Sequence, residues 1–190
     1  MTELQIAPAP AVTDPAAEPA HRPRAPKTWV PRRVLVTAAA QDFPHGLAMA
    51  ERAAALGADV ELLRSNRLTG LRGADERETY ALAKSTLAVV VSPPGKRTKL
   101  QPIPPSADWQ FHLAEGCPAH CQYCYLAGSL AGPPVTRAYA NVEEILAALP
   151  AYEGQGSVTS TSADRAHEGT TFEASCYTDP LALEHLTGSW

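Results

Sequence analysis

Three cysteines stand in one short run, Gly116-Cys117-Pro118-Ala119-His120-Cys121-Gln122-Tyr123-Cys124-Tyr125, at the spacing C-x3-C-x2-C. Thiolates are soft ligands, and three this close suit an iron–sulfur cluster. A [4Fe–4S] cube has four irons, so three cysteines leave one iron without a protein ligand. An open position on a held metal is a place for chemistry. Other readings of Cys117, Cys121 and Cys124 stay open at this point. The positions also fit i, i+4, i+7 on one helix face, which would make them small buried residues. Gly116, Pro118 and the lack of a wider apolar period speak against that. A structural zinc site would need a fourth ligand from His112, His120 or Cys176, and zinc knuckles usually come as paired C-x2-C, of which only one is present. An electron-transfer ferredoxin would want a fourth cysteine close by, but the next one after Cys124 is Cys176.

The rest of the chain must position this run. Its 190 residues suffice for about one domain, or one and a piece of another. A hydrophobic content of 45% permits a core, and the net charge of −4 argues against a strong non-specific grip on nucleic acid without excluding a local basic groove. No apolar run approaches the ~20 residues of a membrane span, and Met1–Arg24 lacks the charged start and apolar centre of a signal peptide. A cytoplasmic location is expected, where thiols stay reduced and four cysteines point to metal or catalysis more than to disulfides.

Residues 1–28, rich in Pro and Ala, read as a disordered tail. Strands are predicted at Arg33–Thr37, Ala58–Leu63 and Thr86–Val91. Helices are predicted at 44–56, closed by Gly57, and at Asp75–Lys84, opened by an Asp75/Glu78 capping box. This alternation predicts a small N-terminal α/β domain over 31–105, with a boundary in the proline-rich stretch at 93–107. From 106 to 190, Trp109–Leu113 and Thr171–Cys176 read as strands. Asn141–Leu149 reads as a helix with Asn141 as N-cap, Leu181–Leu186 as the start of another, and 153–170 as a flexible insertion. The order β–loop–α–β–α is the beginning of a parallel barrel or open parallel sheet.

The C-x3-C-x2-C run with its aromatic flank resembles the radical S-adenosylmethionine (SAM) superfamily. The wider sequence narrows the resemblance. Gly116 through Leu126, then Tyr139-Ala140-Asn141-Val142-Glu143-Glu144-Ile145-Leu146, then Phe172-Glu173-Ala174-Ser175-Cys176, together with Ala83-Lys84-Ser85-Thr86-Leu87, look like the spore photoproduct lyase family over roughly residues 33–187. The resemblance implies an α/β fold, with the small N-terminal domain followed by the first βα units of a partial radical-SAM (β/α) barrel. It also implies a carbon–carbon lyase of DNA that reverses the spore photoproduct, a methylene-bridged thymine dimer. The implied cofactors are a [4Fe–4S] cluster, held by Cys117, Cys121 and Cys124, and SAM on the open iron. The implied partners are DNA carrying the photodimer and an electron donor such as a ferredoxin or flavodoxin. Cys176 takes the position of the hydrogen-atom donor, assisted by Tyr123 and Tyr125. Thr178 stands where the family commonly has a Ser contacting SAM or substrate; it keeps the hydroxyl and adds a methyl group.

Bland roles remain beside these. Cys176 as a buried small residue, Tyr123 and Tyr125 as walls, and Lys96, Arg97 and Lys99 as solvated charges are each ordinary. Each βα unit needs about 30 residues, so the chain is expected to be a truncated member holding only the start of the barrel. Two further function classes follow: a non-catalytic iron–sulfur or zinc module, and a radical-SAM enzyme acting on another substrate.

Overall fold

The computed structural model describes residues 28–119, 132–155, 169–179 and 181–189. The expected tail, apart from Thr28, and most of the expected insertion lie outside them.

The apolar runs of the first half form parallel strands. β1 (Arg33–Val36) pairs with β2 (Asp59–Leu62) on one side and β3 (Thr86–Val90) on the other, with Val34 beside Leu87 and Val36 beside Val89. Successive side chains point to opposite faces. Val34, Val36, Leu87 and Val89 therefore share a core with Met49, Ala50 and Ala53 of α1 (Pro44–Ala55). Ala88 points the other way, towards Ala83 of α2 (Glu76–Lys84). Pro44 opens α1 at its first turn, where its missing N–H costs nothing. Gly46 lets α1 lie close to its surroundings, because a Cβ there would run into the Ala40 carbonyl and come within 2.9 Å of Ala140 Cβ. The Asp75 half of the expected capping box of α2 forms: its carboxylate accepts from Glu78 N at 2.7 Å, while the Glu78 return bond reaches one residue further back. Glu78 itself accepts from Ala74 N at 2.6 Å.

A short helical turn, α3 (Pro94–Arg97), and β4 (Gln101–Ile103) lead to β5 (Ala107–Phe111). β4 and β5 are antiparallel, and β5 is parallel to β8 (Phe172–Ala174), with Trp109 beside Phe172 and Phe111 beside Ala174. The chain leaves β5 and crosses to the first sheet. There β6 (Ala114–Glu115) runs antiparallel to β7 (Thr136–Tyr139), and β7 lies parallel to β3. The result is a five-stranded sheet in the order β2-β1-β3-β7-β6 and a three-stranded sheet in the order β4-β5-β8.

The proline-rich stretch expected as a boundary therefore does not separate the sheets, since β6 and β7 lie beyond it and complete the first sheet. The four-residue β7, TRAY, carries too little alternation to be read as a strand alone; its pairing to β3 makes it one. α4 (Val142–Leu146) packs Ile145 against Phe111, Leu113 and Tyr139, and α5 (Glu184–Thr187) returns to α1. Arg52 of α1 donates to the carbonyls of Leu186 and Thr187 at 2.9 and 2.8 Å, capping α5 at its C-terminal end. Asn141 precedes α4 but makes no cap bond with its side chain. Buried, it joins β3 to α4 instead: it accepts from Ser92 N at 2.8 Å and donates to Ser92 O at 3.2 Å and to Glu144 at 2.9 Å.

Candidate functional site

The crossing from β5 to β6 is where the candidate residues meet. At His112–Leu113 the chain leaves one sheet for the other, and the amides of Leu113 and Ala114 face away from regular ladders. Both donate to Ser175 Oγ, at 2.9 and 3.2 Å. Ser175 sits at φ 59, a left-handed conformation that a non-glycine residue holds only when its surroundings fix it. Its own N–H donates to Phe111 O at 2.7 Å, so its main chain is tied to β5 and its side chain to the crossing that follows. That turn ends β8 and presents Cys176, Tyr177 and Thr178.

The next bonds join this turn to the cysteine run. Gly116 N donates to Tyr177 O at 3.1 Å, and Thr178 Oγ1 donates to Gly116 O at 2.5 Å. Gly116 has φ +76, and a Cβ there would lie 2.6 Å from Val135 O, so the residue before Cys117 must be glycine. Cys117 follows as a free, half-buried thiol. The carbonyls of Cys117 and Ala119 both accept from Lys84 Nζ, at 2.5 and 2.6 Å. The parallel pairing of β5 and β8 expected from the sequence thus brings the start of the cysteine run beside the turn that carries Cys176. Cys121, Cys124, Tyr123 and Tyr125, with His120, lie outside the described residues.

Several neighbours were not picked out by sequence reasoning. The Cys176 thiol donates to Gln110 Oε1 of β5 at 2.6 Å. Burial pushes its pKa up, the charge of Glu173 pushes it further, and Glu115 adds to both, so the sulfur keeps its hydrogen at neutral pH. Alternation along β5 could have flagged Gln110, the polar residue between Trp109 and Phe111. The His112 ring lies against Tyr177 with centroids 5.4 Å apart, and its buried Nδ1 has no hydrogen-bond partner among the described residues. Burial lowers its pKa, outweighing the attraction of Glu115. Lys96, expected to be solvated, reaches Glu115 at 2.6 Å. Burial alone would raise the Glu115 pKa, but its bond to and the charge of Lys96 hold it below the usual range. Tyr139 moves upward through burial and the adjacent Glu115 carboxylate. Arg97 donates to Ser92 O and pairs with Glu144 at 3.3 Å.

Among the described residues no group of three His, Cys, Asp or Glu side chains could hold a metal ion. A three-thiolate site thus depends on Cys121 and Cys124. The described part of the donor set fits a soft metal cluster: Cys117 is an unpaired thiol, and the carbonyls beside it are occupied by a cation, leaving sulfur as its available donor.

A family model described as spore photoproduct lyase matches residues 29–190. The chain is 36% identical over 165 residues to a spore photoproduct lyase of Geobacillus sp. (strain Y412MC61), covering 86% of this chain and 45% of that relative. Among solved structures, it resembles a spore photoproduct lyase complexed with dinucleoside spore photoproduct, with a TM-score of 0.71, 35% identity, and coverage of 86% of this chain and 45% of that one. A mutant of spore photoproduct lyase with bound AdoMet and dinucleoside spore photoproduct matches at TM-score 0.71 and 34% identity, with the same coverage. The chain therefore spans less than half the length of these relatives.

Proposed function

The chain belongs to the spore photoproduct lyase family, and from that premise we propose that it carries the cluster loop and hydrogen-donor turn of a radical-SAM DNA repair lyase acting on the spore photoproduct. One observation carries this reading: Gly116 is bonded to both Tyr177 and Thr178, so the first residue of the cysteine run and the Cys176 turn form one unit.

In this reading Cys117, Cys121 and Cys124 hold a [4Fe–4S] cluster. When bound, cluster and SAM supply one-electron cleavage that yields a carbon radical able to take a hydrogen atom from the saturated thymine ring. Cys176 closes the sequence. After the methylene bridge breaks, a radical remains on the other thymine. The Cys176 S–H bond breaks homolytically, a C–H bond forms on that thymine, and a thiyl is left on sulfur. This needs a thiol and not a thiolate, which matches the upward shift of the Cys176 pKa. Tyr123 and Tyr125 would assist that hydrogen transfer. Thr178 would contact SAM through the lone pairs of its hydroxyl while donating its hydrogen to Gly116. The substrate is DNA bearing the photodimer, and a ferredoxin or flavodoxin would supply the electron. The AdoMet and dinucleoside spore photoproduct named for the solved relatives support this choice of cofactor and substrate.

The test is anaerobic reconstitution of the chain with iron and sulfide, then incubation with SAM, a reductant and dinucleoside spore photoproduct. A reducible cluster that cleaves SAM is expected. Because the chain spans less than half the length of its relatives, little or no thymine release by the chain alone is expected, and any release should be lost in Cys176→Ala while SAM cleavage persists. Zinc binding with no SAM cleavage would replace this reading by a non-catalytic module. Conversion of a different substrate on SAM cleavage would point to another member of the radical-SAM superfamily.

A further inference from the structure

Lys84 ends α2 and is 6% exposed, an unusual place for the residue type that most resists burial. Among the described residues it forms no salt bridge. Its ammonium is met instead by two backbone carbonyls, Cys117 O at 2.5 Å and Ala119 O at 2.6 Å. These carbonyls lie on either side of Pro118, which has no N–H of its own to fasten the loop. Two charge-assisted bonds to one cation fix the orientation of both peptide planes, and with them the backbone that carries the Cys117 thiol. Carbonyl dipoles leave the positive charge uncancelled, so it stands beside the backbone of Cys117.

We propose that Lys84 is a positioning residue for the cysteine loop: it sets the backbone of Cys117 before any metal arrives and leaves a positive charge beside the bound cluster. The second half rests on the cluster-binding reading above; the first half does not. The hydroxyls of Ser85 and Thr86, next in the chain, donate to carbonyls of α2, so among the described residues the side-chain link from this corner to the loop is made by Lys84.

The experiment compares the full chain with Lys84→Met, which keeps the length and removes the charge, and Lys84→Arg, which keeps the charge. In the metal-free protein, amide exchange at Gly116, Cys117 and Ala119 and alkylation of Cys117 are followed. In the reconstituted protein, bleaching by an iron chelator and the cluster reduction potential are measured. Loss of a partner that orients a metal ligand commonly weakens the site by about tenfold or more. Lys84→Met should accelerate amide exchange and chelator bleaching by about that factor and lower the potential, while Lys84→Arg restores the potential and part of the protection. Ala83→Gly serves as a control for loosening α2 without touching the loop. Exchange and bleaching within about twofold of the unmodified chain, or changes no larger than those of Ala83→Gly, would overturn the proposal. If the unmodified chain takes up no cluster, the lyase reading fails, yet the metal-free exchange data still decide whether Lys84 fixes the loop.

Discussion

In the first sheet Val34, Leu35, Val36, Leu87, Ala88, Val89 and Ala138 are completely buried, whereas all three residues of β8 in the second sheet keep some exposure. The centre of the first sheet, β1 and β3, is parallel and covered on both faces, which favours apolar side chains there, while β2 at its edge is largely exposed. The second leaves Gln110, Glu173 and the Cys176 turn at a half-open face. The centre of the first sheet thus holds the fold, and the half-open sheet carries the Cys176 turn. β6, Gly116 and Lys84 are the links between them.

The comparison can be broken at its strongest point first. Leu87→Ala should cost about 2–5 kcal/mol in equilibrium unfolding, the range for truncating a buried leucine. Phe172→Ala, in a half-exposed strand, should cost clearly less; equal costs would erase the distinction between the sheets. Next is Gly116→Ala at the joint, where a positive φ and the Val135 carbonyl both oppose a Cβ. About 1–3 kcal/mol of lost stability is expected from the backbone strain, with weaker metal uptake than Phe172→Ala. A smaller effect comes from pH. The folded pKa of His112 lies below its ordinary value, so its contribution to stability is present above the unfolded pKa and is lost as pH falls towards the folded one. Stability should therefore decline between neutral pH and mild acid, and His112→Phe should flatten part of that decline in urea titrations at several pH values. The smallest stability change belongs to Gln110→Ala, within about 0.5 kcal/mol, as for a substitution outside the core. It should nevertheless alter the alkylation rate of Cys176 at fixed pH, since the thiol loses its hydrogen-bond partner Gln110. An unchanged rate would mean that the half-open sheet does not orient its sulfur.

Much of the first sheet was legible, because β1 and β3 are mostly apolar runs, β2 alternates apolar with charged residues, and the helices between them have clear starts and stops. Asp75 and Pro44 mark the helix openings by local chemistry alone. β7 was not legible, since TRAY becomes a strand only by pairing with β3. Asn141 had the residue type of a cap, yet a bond to Ser92, far away in sequence, claimed its side chain. At the site, Cys117 and Cys176 stood out by type, whereas β6, which crosses to the first sheet between β5 and Cys117, was not legible. Gln110 and Lys84 did not stand out as site residues, because nothing local distinguishes a polar strand residue or a helix-ending lysine from a solvated one.

The sequence by itself determined the cysteine spacing, the alternation of strands and helices in the N-terminal unit and the family, since these rest on residue types at short range. Tertiary structure decided which carbonyls meet Lys84, which turn holds Gly116 and where the Cys176 thiol points. Those contacts join residues dozens of positions apart, and only packing of the two sheets fixes the distances at which a hydrogen bond forms.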